Sequence, residues 1–304
     1  KRTALRSTPA PVRRTAAAID YRRRLLATRA PRTFSEKLHY KMLRDHRALL
    51  TTFSDKVAVR EYVRERLGRV DLLPTLHAVV ERAGDLDPDA LPREFVLKAA
   101  HASGGVVVVS ETADPQATLP DLRANWPAAA IHPDRLDWAH LRALGDAWLA
   151  RRYGGGPYRE WGYVHVPPRL VVEELLRTPA GAIPDDYKLF VFHGRCRLVQ
   201  VDIDRYGAHR QQFFLPDWTP LDVELYAPRA AVPPPPPAGL AEMLAIADRL
   251  GADTDFVRVD LYDLADRVVF GELTSYVLGG RFSFRPPTFD AEVGSWWNPP
   301  RRYR

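Results

Sequence analysis

The chain has 304 residues and a mass of 34.4 kDa, with 46% hydrophobic and 27% charged residues. That balance excludes a collagen-like, disordered or disulfide-stapled protein and leaves one large domain or a few packed smaller ones. The single cysteine, Cys196, supplies neither an internal disulfide nor a thiolate zinc cluster; no apolar run approaches the roughly 18 residues that span a bilayer, and Lys1 opens no hydrophobic signal region, so a cytoplasmic protein is expected. The net charge of +6 is uneven: residues 1–69 hold 19 Lys and Arg against 6 Asp and Glu, a net of +13, which leaves −7 for the rest. This basic stretch reads either as an electropositive face for an anionic partner or as solvated arginine-rich helix faces. It lacks the aromatic interleaving of a nucleic-acid module, and no specific nucleic acid is expected.

Residues 1–14 are rich in Pro and Arg without periodicity and read as a leader or a packed arm. Helical patterning runs from Ala16 to Leu50, broken by ATRAPRTFSEK, in which Thr33 and Glu36 have capping-box spacing. A helix after Ser54 or Asp55 puts Val57, Val59, Tyr62, Val63 and Leu67 on one side and stops at Gly68. EFVLKAA (94–100), HASGG (101–105) and VVVVS (106–110) read as strand, turn and strand. Residues 115–153 return to helical patterning, with Trp126, Trp138 and Trp148 as packing residues. RLVVEELL (169–176) is an apolar strand, KLFVFHGRCRLVQVDID (188–204) a long hairpin turning at His193-Gly194, and QQFFL (211–215) a further strand. Prolines 233–237 mark a surface connection, a rigid spacer before a proline-recognition ligand; a helix from Ala238 to Leu250 follows, and FVRVDLYDLADRVVFGELT (256–274) is a strand hairpin.

The last hairpin carries most of the chemistry. Antiparallel pairing brings Asp260 beside Glu272 if both point to one face, and two such carboxylates suit Mg²⁺, a hard ion that takes oxygen ligands; Arg258, two residues earlier, shares that face. The bland alternative is a solvated face with an incidental ion pair. Lys98 ahead of His101-Ala-Ser103-Gly104-Gly105 can set an ammonium and backbone N–H groups around a phosphate, though the loop matches neither a P-loop nor a GxGxxG turn. His101 by itself reads as a turn residue or a satisfied histidine. Glu173-Glu174, ending a strand, either accept from a ligand amine or hydroxyl or protect a sheet edge. Asp202 and Asp204 alternate with Val201 and Ile203 and so share a polar face; they orient Arg205, bind an amine, or are simply solvated.

Taken in order, FSEKLHYKML (34–43), DKVAVREYV (55–63), FVLKAAHASGG (95–105), RLVVEELL (169–176), DDYKLFVFHG (185–194), VQVDIDRYGAHRQQFF (199–214) and the final hairpin resemble the ATP-grasp superfamily, and more closely its TupA-like branch, named for teichuronopeptide biosynthesis. The resemblance implies an α+β ATP-grasp fold, with a nucleotide between two antiparallel-rich subdomains and a basic helical N-terminal region. The divisions expected are 1–70 for that region, 71–175 for the small subdomain with the phosphate loop, and 176–304 for the subdomain holding the metal and acceptor. It further implies ATP and Mg²⁺: Arg60 near the α-phosphate after the Asp55-Lys56 pair, Lys98 on the α- and β-phosphates, and Ser103, Gly104 and Gly105 in the loop that closes over them. Glu173, Glu174 and Leu175 fall on the adenine hinge, Asp186 at the ribose and Lys188 at a phosphate. Arg258 matches the RxD arginine, and Asp260 and Glu272 match the magnesium ligands. Thr274 stands where the family generally carries Asn, and SYVLGG follows it in place of a Gly- and Pro-containing loop. Arg205 and Arg210 are candidates for the γ-phosphate and the acyl phosphate or substrate carboxylate.

The implied reaction is ATP-dependent joining of a carboxylate to an amine through an acyl phosphate, in cell-surface polymer or specialised metabolite assembly, with small or peptide-like and anionic substrates. A small-molecule kinase on the same fold, and a nucleotide-binding protein without turnover, are the alternatives.

Overall fold

The computed structural model describes residues 26–155, 160–205 and 207–303; the readings made for residues 1–14, and for the helix as far as residue 25, lie outside them. Thr33 caps α1 (Phe34–Arg44) as its spacing predicts: its hydroxyl accepts from the N–H of Glu36, and the Glu36 carboxylate accepts from the N–H of Thr33. Two short helices follow, α2 (Ala48–Ser54) and α3 (Ala58–Leu67). Gly68 ends α3 at φ 65°, a left-handed conformation that glycine adopts at no steric cost.

Five strands make the first sheet: β1 (Leu76–Val80), β2 (Phe95–Ala99), β3 (Val106–Val109), β4 (Ala128–Ile131) and β5 (Leu170–Glu173), in the order β1-β5-β2-β3-β4. All pairs are antiparallel except β3–β4, which is parallel. β4 corrects the sequence reading. Its AAAI stretch has helical propensity, yet pairing with Val106–Val109 overrides it, and the helix of this region is confined to α4 (Trp138–Leu149). Trp148 is fully buried there and Trp138 stacks on Phe95, while Trp126, at φ 51°, closes the loop after β2 from outside.

A short helix α5 (Trp161–Val164) leads into β5. The second sheet has six strands, β6 (Asp186–Phe192), β7 (Arg195–Ile203), β8 (Arg210–Phe214), β9 (Pro220–Leu221), β10 (Phe256–Asp263) and β11 (Val268–Thr274), in the order β11-β10-β6-β7-β8-β9. Its pairs are all antiparallel, and β6 turns into β7 through His193 and Gly194, both at positive φ. The proline run 233–237 lies on the surface before α6 (Leu240–Leu250).

Alternation divides this second sheet. α6 covers one face through Met243, Ile246, Ala247 and Leu250, and Gly251 lies so close to Val191 that a Cβ would stand 2.4 Å from its Cγ1. On the other face Phe256, Arg258 and Asp260 of β10 stand opposite Phe192, Phe190 and Lys188 of β6. α1 and α7 (Thr288–Ser295) cover the phenylalanine end of that face; Phe34 meets Phe256 at 5.0 Å and Phe282 at 4.8 Å between ring centroids. The opposite end is polar, and the first sheet's Glu173 and Lys98 are linked to it through α3 and the residues before it. No described helix is long and apolar enough to cross a membrane.

Candidate functional site

The β10–β11 register sets Asp260 directly opposite Glu272 and Arg258 opposite Thr274, so all four share the polar face. Arg258 grips Asp260 with two N–H groups, Nε to Oδ1 and Nη2 to Oδ2, both at 2.6 Å, and Nη2 reaches Glu272 Oε1 and Thr274 Oγ1 at 3.1 Å. Thr274 Oγ1 in turn donates to Glu272 Oε1 at 2.6 Å. Burial pushes the Asp260 carboxyl up against the pull of Arg258 and Lys188; Glu272, which the cleft also desolvates, is held down to about 2 by Arg258 and Lys56. Two carboxylates and a hydroxyl form an all-oxygen donor set of the kind that a hard cation such as Mg²⁺ takes, and Arg258 occupies it here.

Next along the sheet, Lys188 is buried among three carboxylates. Its Nζ donates to Asp186 Oδ2, lies 3.3 Å from Asp260 Oδ2, and is 3.6 Å from Asp202 Oδ2. Burial works against its charge, but Asp186 and Asp260 overcome that and raise its pKa. Arg205, from the β7–β8 connection, adds a second cation to Asp186 Oδ2 at 2.9 Å. Asp202 accepts from Gln200, Gln211 and Tyr226 at 3.0, 2.8 and 3.0 Å.

Glu173, at the end of β5, is the counterpart on the first sheet. It is 6% exposed and lies between Arg60 of α3, at 3.0 Å, and Lys98 of β2, at 2.6 Å. Burial raises its pKa, but Lys98 and Arg60 outweigh that and lower it. Lys56 Nζ donates to the Ala102 carbonyl at 2.5 Å, so it is tied to the small-residue loop. Burial lowers its pKa while Glu272, on the other sheet, works to raise it. In the loop, Gly104 stands at φ 99° and a Cβ there would be 2.7 Å from the Trp126 carbonyl oxygen; Gly105 stands at φ 67°. Ser103 is exposed beside them.

The fold therefore brings Arg60, Lys98, Glu173, Asp186, Lys188, Arg205, Arg258, Asp260, Glu272 and Thr274 into two linked clusters. Others fall outside. Arg210 pairs with Ile203, so its side chain alternates to the face away from Asp202 and Lys188, and it is exposed. Asp204 does not share the Asp202 face either: at φ 47° it has left the strand, and its carboxylate accepts from the Ala208 N–H. On the hinge, the Glu174 N–H is already donated to the Thr75 carbonyl and its carboxylate meets Thr75 and Arg267; Leu175 beside it is half-buried. His101 is buried, with Nε2 3.2 Å from the Trp148 carbonyl and Nδ1 without a hydrogen-bond partner among the described residues, and burial lowers its pKa. Sequence reasoning left out Lys56 as a site residue, and Gln200, Gln211 and Tyr226. The alternation of VQVDID pointed to Asp202 and Asp204; the partners of Asp202 are Gln200 on its own strand, Gln211 on a neighbouring strand and Tyr226 in a distant loop.

A family model described as TupA-like ATP-grasp matches residues 36–297. No curated protein matches the chain. Among solved structures, a D-alanine–D-alanine ligase from Bacillus anthracis is 15% identical with a TM-score of 0.39, over 73% of this chain and 57% of that one. The ATP-grasp ligase PsnB, complexed with precursor peptide PsnA2 and AMPPNP, is 14% identical with a TM-score of 0.37, over 86% of this chain and 64% of that one. In complex with a phosphomimetic variant of its minimal precursor, Mg and ADP, PsnB gives 12% and 0.37, over 75% and 51%. The chain thus spans roughly half to two thirds of the length of these solved ligases. With 36–297 matched and both sheets in place, this chain belongs to the TupA-like ATP-grasp family.

Proposed function

We propose that this chain is an ATP- and Mg²⁺-dependent carboxylate–amine ligase. The observation that carries the reading is the gathering of cations on one oxygen-donor set: Lys188 and Arg258 from the second sheet and Lys56 from the segment before α3, around Asp260, Glu272 and Thr274, with Lys98 and Arg60 held nearby on Glu173 of the first sheet. Lys98, Lys188 and Arg258 are paired with Glu173, Asp186 and Asp260. A triphosphate offers them oxygens instead, which leaves Asp260 and Glu272 to hold Mg²⁺.

Bound there, ATP supplies a phosphoryl group that activates a carboxylate as an acyl phosphate, from which an amine displaces phosphate. The protein's own part is positioning and charge neutralisation. Lys98, Arg60 and the Ser103-Gly104-Gly105 loop hold the phosphates from one sheet, with Lys56 fixing the loop through Ala102. Lys188, Arg205 and Arg258 hold the transferring end from the other. Glu173, Glu174 and Leu175 border the adenine and Asp186 the ribose. The proposed divisions are 1–70, 71–175 and 176–304, with the cleft between the last two, and the proposed setting is cytoplasmic assembly of a cell-surface polymer or specialised metabolite.

The test is an intact-mass screen of pooled carboxylic acids and amines with ATP and Mg²⁺, followed by phosphate release. A condensed product that needs both acid and amine, and is absent with Asp260→Ala/Glu272→Ala, is the expected result. A stable phosphorylated product with no amine dependence makes the protein a kinase, and product from the double variant refutes the metal site.

A further inference from the structure

β11 is not an unbroken strand. Next to the turn, Asp263, Tyr262 and Leu261 of β10 lie opposite Val268, Val269 and Phe270; further on, Asp260, Val259 and Arg258 lie opposite Glu272, Leu273 and Thr274. Gly271 stands between the two runs with a place in neither register, so it is the extra residue of a β-bulge. The chain is held on both sides of it. Before the bulge, the Phe270 N–H donates to the Leu72 carbonyl at 2.7 Å on the outer edge of the sheet. After it, Arg258 Nη2 donates to Glu272 Oε1 and Thr274 Oγ1.

That one residue decides which way the oxygen donors of β11 point. Phe270 lies opposite Leu261, which shares a face of β10 with Val257; Val257 lies opposite Val191, against which the end of α6 packs at Gly251. Side chains alternate along a strand, so an unbroken β11 would turn Glu272 and Thr274 to the α6 face with Phe270 and set Leu273 among the charges. The bulge reverses this: Glu272 and Thr274 face Asp260 and Arg258, and Leu273 is 3% exposed opposite Val259. The site of the bulge has no room for a side chain. A Cβ at residue 271 would stand 3.0 Å from both the Asp260 carbonyl oxygen and Tyr262 Cε2, and the carbonyl, being backbone, cannot swing aside.

We infer that Gly271 is a positioning residue of the metal site, whose bulge aims Glu272 and Thr274 at Asp260. The inference rests on the ligase reading for its metal and adds what directs two of the three oxygen donors.

Removing Gly271 and replacing it have opposite consequences. Deletion joins Phe270 directly to Glu272, which leaves every pair on both sides in register and Glu272 still opposite Asp260. Valine puts a side chain at the crowded point and favours the unbroken strand that turns Glu272 away. Were Gly271 only a weak strand residue, valine would be the milder change and deletion the harsher.

The readout is calorimetric affinity of the full chain for a non-hydrolysable ATP analogue, with Mn²⁺ standing in for Mg²⁺ and again with EDTA; the ratio of the two is what the metal adds. Wild type is expected to gain at least about tenfold from the metal. Gly271→Val is expected to cost about tenfold in that ratio and the deletion less than about threefold, with EDTA affinities within about twofold of wild type. Those EDTA affinities show that each variant folds. A wild-type ratio in Gly271→Val overturns the inference, as does a deletion variant that loses the ratio or does not fold; if Gly271→Val does not fold, the deletion alone decides. A second measurement needs no metal. Asp260→Cys/Glu272→Cys, exposed to oxidised glutathione, should form a cross-strand disulfide in the otherwise unchanged chain and in the Gly271 deletion, but not together with Gly271→Val. That pattern without a metal gain in wild type sinks the metal site of the ligase reading alone. A disulfide formed alike in all three, with the metal gain present in wild type, sinks this assignment alone.

Discussion

At one end of the second sheet's face away from α6, Phe192 and Phe256 meet Phe34 and Trp297, with ring centroids 5.0 to 6.2 Å apart. Four residues further along the same two strands, that face carries Lys188 and Asp260 among Asp186, Asp202 and Arg258. The backbone is shared and the chemistry is opposite. At the aromatic end, packing fixes the strand register, because a one-residue slip would turn Phe192 and Phe256 to the other face. At the polar end the same register holds carboxylates opposite cations, a costly arrangement to bury that packing elsewhere must offset. Stability and chemistry are thus allotted to two ends of one pair of strands.

Four variants break or sharpen this division. The largest effect belongs to Asp260→Ala/Glu272→Ala, which should lower turnover by about 10²–10³-fold or more, read as phosphate release below the variant's own unfolding transition. Phosphate release that survives the double substitution would deny the polar end its metal role. At the aromatic end the order reverses: Phe34→Ala should cost about 3–5 kcal/mol in denaturant unfolding and leave ATP affinity unchanged below its transition. Glu173→Gln comes next, at roughly 1–3 kcal/mol, because Arg60 and Lys98 then face a neutral amide. The Glu173 carboxyl is lowered in the fold, so its contribution is complete above the unfolded value near 4.5 and is lost as pH falls through the folded one. The wild-type stability advantage over Glu173→Gln should therefore shrink below about pH 4.5, and an advantage that persists in acid would contradict the pairing. The smallest effect is Thr33→Ala, which removes the capping box at the aromatic end for about 1 kcal/mol and should not touch turnover.

The same division shows what could be read before any coordinates. Short-range signals translated directly: Thr33 and Glu36 made their box, Gly68 ended its helix, and His193-Gly194 turned the hairpin; Asp260 and Glu272 came to face each other as well, but only because a bulge at Gly271 shifts the register that the turn alone would set. What the sequence hid was of longer range. The parallel pairing of Ala128–Ile131 with Val106–Val109 joins segments about twenty residues apart, and alanines carry no strand preference of their own. Arg210 was misplaced because a charged residue beside Gln211 does not reveal which of two alternating faces it takes. The contacts of Glu173 with Arg60, and of Lys56 with Ala102, cross between a helix region and a sheet far apart in sequence.

α3 belongs to both halves of the cleft at once. Its Tyr62 hydroxyl donates to the Leu250 carbonyl at the end of α6, which packs on the second sheet, and two residues earlier Arg60 holds Glu173 on the first. Any parting of the two sheets must therefore carry this helix along with one of them or break its hold on the other, and on the first sheet's side that hold is polar: Arg60 on Glu173, with Asp55 on Arg169 and Lys56 on Ala102 just before the helix. On the proposed ligase reading the same guanidinium also serves a phosphate, so nucleotide binding and the hold on Glu173 would draw on one side chain, and product release would become a competition between Glu173 and the departing phosphates.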